Sequence, residues 1–131
     1  MKQFYKNVLF TILISFSIFA TAKGQALEDV VNGMRSGNVA AMSRYFDNFV
    51  TITIGFNQSA YSKTQAEMVL KDFFNKNNVK ELNVMQNGTS PNNNGKYFIG
   101  TLNTSGGSYQ VYVLLKLKDG NYMLQEIRFE K

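Results

Sequence analysis

The 131-residue chain has no histidine, no cysteine and no tryptophan, and its single proline is Pro91. Without histidine it lacks the commonest general base and metal ligand near neutral pH. Without histidine or cysteine it can build neither a Ser–His–Asp nor a Cys–His arrangement, nor an imidazole or thiolate zinc site. No disulfide framework can form, so stability has to come from burial. No glycine-rich phosphate loop occurs. The asparagine cluster at 92–94 offers carbonyl oxygens without charge, which makes a poor calcium site. No metal and no cofactor is expected.

The first residues carry a different signal. Lys2 and Lys6 make a short positive start, and residues 8–20 then run without a charge. That run has the length of a signal-peptide core and is too short to span a bilayer comfortably. Small residues follow. Ala20 and Ala22 suit cleavage after Ala22, and Ala22 and Gly24 suit it equally well after Gly24. The expected organisation is a leader over 1–24 and one domain over 25–131, exported to a periplasmic or extracellular space with no stable membrane span after cleavage. The whole chain has 14 Lys+Arg against 9 Asp+Glu; loss of Lys2, Lys6 and Lys23 leaves 11 against 9. A surplus that small and scattered supports solubility and predicts no nucleic-acid partner.

The domain reads as α+β. Leu27, Val30, Val31 and Met34 fall on one face of a helix over 27–36, with Glu28 and Asp29 in its first turn and Gly37 as its stop. Asn38 caps a second helix whose apolar face is Val39, Met42 and Phe46, closed by Asp47-Asn48. Residues 49–54 alternate as a half-buried strand, with Val50, Ile52 and Ile54 on one face. An extended piece around Ser59–Tyr61 flanks it. Ser62 and Gln65 form a capping box ahead of the stripe Ala66, Val69, Leu70, Phe73 and Phe74. Four strands of an antiparallel meander follow, at about 80–88, 96–103, 108–118 and 121–130, with turns at Ser105–Gly107 and Asp119-Gly120. The strand 109–117 is apolar on both faces, so each face needs a cover.

Residues 42–54, then 61–67 and 70–74, resemble the nuclear-transport-factor-2-like superfamily. Residues 97–102, 107–115 and 124–130 are similar, more closely, to a small family of exported bacterial domains of unknown function. The resemblance implies a curved antiparallel sheet wrapped around the N-terminal helices as a cone with an apolar mouth. It also implies homodimer formation through the outer sheet face in many members. It says little about chemistry, because that scaffold hosts isomerases, dehydratases and binding modules alike. Its dehydratase branch relies on histidine with aspartate, and this sequence departs from that pattern.

The expected role is a non-enzymatic exported domain, binding a small apolar ligand or a protein partner through the cone or the sheet face. The alternative is a cofactor-free lyase or isomerase with a carboxylate and a tyrosine in the cone. No catalytic residue is assigned. The ligand-pocket candidates are Tyr61, Phe73, Tyr112, Glu126 and Arg128. Aromatics at helical and strand spacing are more often plain core. Strict alternation puts Glu126 on one face with Leu124, Arg128 and Val113. Inward, Glu126 and Arg128 are the polar groups of a pocket. Outward, they are a surface ion pair worth less than about 1 kcal/mol, which the burial habits of Glu and Arg favour.

Overall fold

The computed structural model describes residues 25–131; the expected leader and its cleavage site lie outside the described residues. Helix α1 (Ala26–Ser36) turns Val30 and Met34 into the core. It stops at Gly37, whose φ of 67° is left-handed, and the Asn38 N–H returns to the Gly33 carbonyl at 2.7 Å. Helix α2 (Val39–Ser43) is capped by the Asn38 side chain, which accepts from Ala41 N–H at 3.2 Å. The sequence pattern carries this helix on through Phe46. In the structure the Leu124 N–H donates to the Tyr45 carbonyl at 2.6 Å, and the backbone is already a strand by Phe46.

Strand β1 (Phe46–Ile54) turns at Gly55 into β2 (Asn57–Ser62), so the extended piece flanking the first strand is a full strand of the sheet. Helix α3 (Lys63–Lys76) begins with the Ser62–Gln65 capping box, both halves present. The meander is β3 (Val79–Thr89), β4 (Gly95–Thr104), β5 (Gly107–Lys118) and β6 (Asn121–Glu130). Asp119 and Gly120 both take positive φ in the β5–β6 turn, the conformation a two-residue hairpin loop selects. On β4, a Cβ on Gly100 would lie 2.6 Å from the Asn83 carbonyl oxygen of β3, so nothing larger than hydrogen fits there.

The strands form one curved, unclosed sheet of six in the order β2-β1-β6-β5-β4-β3. Neighbours are antiparallel except β1 and β6, which run parallel. The helices cover one face, α3 over β1 and β2, and α1 over β3 and β4. Between them lie Val30, Met34, Met42, Leu70, Phe73 and Phe74, packed on Phe98, Val111, Val113, Ile127 and Phe129. Each such large side chain contributes about 1.5–3 kcal/mol by leaving water. Phe73 stacks on Phe129 at 4.1 Å between centroids and meets Phe74 and Tyr109 edge-on at 5.4 and 5.2 Å. The cone is thus filled from within by its own aromatics.

Candidate functional site

The feature that decides the site is a β-bulge in β6. Leu115 pairs with Leu124, but Leu114 pairs with Glu126, so Gln125 is an extra residue opposite no partner. An extra residue reverses the alternation beyond it. Leu124 faces the core, and so do Ile127 and Phe129, while Glu126 and Arg128 point out of the opposite face. The grouping of Glu126 and Arg128 with Leu124 and Val113 is therefore corrected: they share the outer face with Leu114 and Tyr112, their register partners on β5.

A buried carboxylate holds the bulge. Asp47, on β1, is 7% exposed. It accepts from Gln125 Nε2 at 2.9 Å, from the Asn48 N–H at 2.8 Å, and from Lys118 Nζ at 3.0 Å on each carboxylate oxygen. Lys118 reaches across β6 to do so. Burial pushes the Asp47 carboxyl up, but the Asn48 N–H, Lys118 and Gln125 together outweigh it and hold its pKa below the ordinary value. In the sequence pattern Asp47 is only the close of the second helix. Its structural task shows only when Lys118 and Gln125, more than seventy positions away, come alongside it.

The outer face has an apolar centre. Tyr97 and Ile99 on β4 pair with Leu114 and Tyr112 on β5, all half-buried and with no helix above them. The Tyr97 and Tyr112 rings lie 6.4 Å apart. The Arg128 guanidinium sits 5.3 Å from the centre of the Tyr112 ring and donates to Glu126 from Nε. Burial raises the Tyr112 pKa, the Glu126 carboxylate raises it further, and Arg128 offsets part of this. Gln86 Nε2 donates to the Tyr97 hydroxyl at 2.9 Å, and Met85 stands 67% exposed on the β3 flank. On the β1 side, Thr53 pairs with Arg128, and its hydroxyl is buried without a hydrogen-bond partner.

Tyr112, Glu126 and Arg128 therefore come together, outside the cone. Phe73 is in the aromatic stack of the core. Tyr61 is half-buried on the edge strand β2, opposite Val50. At the cone mouth a shallow groove of about 400 Å³ is lined by Ile54, Met68, Val69, Phe73 and Tyr109, with Asn77 at its side. The Asn77 carboxamide accepts from the Tyr109 hydroxyl at 3.2 Å and donates to the Phe73 carbonyl at 3.0 Å. Among the described residues no cluster of acids could hold a metal ion, and no helix is long and apolar enough to cross a membrane.

Comparisons with known proteins agree on the fold. No match is found among curated proteins. A crystal structure of a DUF4783 family protein from Bacteroides ovatus ATCC 8483 is similar at 27% identity and a TM-score of 0.74, over 79% of this chain and 92% of that one. One from Bacteroides uniformis ATCC 8492 is similar at 25% identity and a TM-score of 0.75, over 79% and 94%. An NTF2-like protein of unknown function from Cytophaga hutchinsonii ATCC 33406 shares the fold alone, at 11% identity and a TM-score of 0.59, over 82% of this chain and 88% of that one. Residues 27–130 match the profile described as Domain of unknown function (DUF4783), and the chain belongs to that family.

Proposed function

We propose that this is an exported, non-catalytic interaction domain that pairs with a second copy of itself, outer sheet face to outer sheet face. The observation that carries the reading is the uncovered patch of Tyr97, Ile99, Tyr112 and Leu114 on adjacent central strands. Its composition suits a two-fold contact. The centre is aromatic and aliphatic, and the rim carries both signs in Glu126 and Arg128, so the same patch complements itself. Four strands about 4.8 Å apart and seven residues at about 3.3 Å each span roughly 19 by 23 Å, or about 440 Å² in projection. That is a little over half of the ~800 Å² per partner of a standard stable interface, so the flanks of the face have to contribute the rest.

The carboxylate–tyrosine alternative needs an acid in the cone with a raised pKa. Among the described residues the buried acid is Asp47, which is paired and held low. A second reading, uptake of a small apolar ligand, rests on the groove between Met68 and Tyr109, whose volume of about 400 Å³ lies in the range of small-molecule sites.

Sedimentation equilibrium of the exported protein tests the pairing. A dimer is expected, and Leu114→Lys should weaken it at least about 30-fold while the variant still unfolds cooperatively as a monomer, as expected for a charge placed at the centre of a contact patch. A protein still monomeric at about 100 μM would leave less than roughly 6 kcal/mol for association and would overturn the reading.

A further inference from the structure

We propose that the exported protein begins at Gln25 and that this residue is closed to pyroglutamate. Ala22 and Gly24 supply small residues at the two positions read by a leader peptidase cutting before Gln25. The peptidase acts before folding, so the nearness of α1 is no obstacle. In the folded domain Gln25 is exposed, and its carbonyl opens α1 by accepting from the Asp29 N–H at 2.8 Å. Its side chain makes no capping bond. The carboxamide is therefore free to fold back on the α-nitrogen that the cut would release.

The chemistry balances without a co-reactant. The neutral α-amine attacks the carbonyl carbon of the Gln25 carboxamide, and a ring-closing bond forms between that carbon and the α-nitrogen. The bond from the same carbon to the amide nitrogen breaks, the amine's proton passes to the departing nitrogen, and ammonia leaves. An α-amino group has a pKa of about 7.7–8.0, so a useful fraction is nucleophilic at neutral pH.

The surroundings favour the closed form. A free terminus would place an ammonium at the positive end of the α1 dipole, where a cation is disfavoured. Glu28 and Asp29 in the first turn offset part of that charge, Asp29 also accepting from the Tyr45 hydroxyl. The lactam is neutral. Beside Ala26 lies a hollow of about 380 Å³ bounded by Arg44, Tyr45, Tyr122 and Met123; it has room for an uncharged five-membered ring, and the Arg44 cation on its wall disfavours a second positive charge there.

The test is tandem mass spectrometry of the N-terminal peptide, on full-length protein expressed with its leader and purified from the exporting cells without prolonged acid. The expected peptide starts at residue 25, weighs one ammonia less than the encoded sequence and is blocked to sequential degradation. A free amine on Gln25, or a peptide starting at Lys23 or Met1, would overturn the proposal. A Gln25→Asn variant, whose shorter carboxamide arm would have to close to a strained four-membered ring, should carry a free amine at 25. A blocked α-amine on that variant would also overturn it.

Discussion

Replacing Asp47 by alanine removes a buried carboxylate together with the partners of the bulge. The side chain accepts from Lys118 on both oxygens, from Gln125 and from the Asn48 N–H. These contacts are not equal. Lys118 keeps 49% of its side chain exposed, so its ammonium turns to water at little cost. The Gln125 amide and the Asn48 N–H donate to a side chain only 11% exposed; a hydrogen bond to a charged group is worth about 1.5–3 kcal/mol net, lessened here because water reaches the donors once the carboxylate is gone. Asp47→Ala should therefore cost about 2–3 kcal/mol at neutral pH. For a domain near a hundred residues that lowers the melting temperature by roughly 10–15 °C. The pH dependence makes the test specific. The folded pKa of Asp47 lies below its unfolded value near ~3.9, so the contribution is whole above that value and is lost as pH falls through the folded one. Urea unfolding of wild type and variant should show the full gap at about pH 7 and a closing gap by about pH 2. A gap under about 0.5 kcal/mol at neutral pH, or one undiminished in acid, would refute the reasoning.

The uncovered face predicts that Thr53→Val is neutral to stabilising in urea unfolding, because its hydroxyl is buried without a partner; a loss above about 1 kcal/mol would show that the hydroxyl is satisfied. The bulge predicts opposite outcomes for neighbouring deletions. Removing Gln125 leaves Leu124, Ile127 and Phe129 all facing the core and should still give a cooperative melt, whereas removing Ile127 turns Phe129 outward and should abolish one.

Most of the fold was legible because its elements obey simple periods. The stripe from Ala66 to Phe74 repeats at helical spacing behind a capping box, and α3 lies where that pattern puts it. The meander strands are marked by Asp119-Gly120 and Ser105-Gly106, turns whose residues are chosen by backbone sterics. The misread stretch was Phe46–Asn48. There Phe46 and Asp47 are buried in succession, and the ladder to β6 shifts register between Phe46 and Thr51. Local period carries no trace of a parallel partner contributed from the far end of the sequence.

The face of Glu126 was misassigned for a related reason, although the signal was present. Val111, Val113 and Leu115 keep an interval of two along β5, and all three are buried. On β6 the buried positions are Leu124, Ile127 and Phe129, and the first interval is three. An odd step in an otherwise even series is the mark a bulge leaves, because one residue has been inserted without a partner. Taken above strict alternation from Leu124, that interval places Glu126 and Arg128 outside beside Tyr112 and leaves Gln125 needing a polar anchor. Asp47 is that anchor, and only the fold supplies it. The same inserted residue that confused the periodicity therefore keeps charge out of the cone. It also gives the outer face both signs, on which the proposed pairing with a second copy depends.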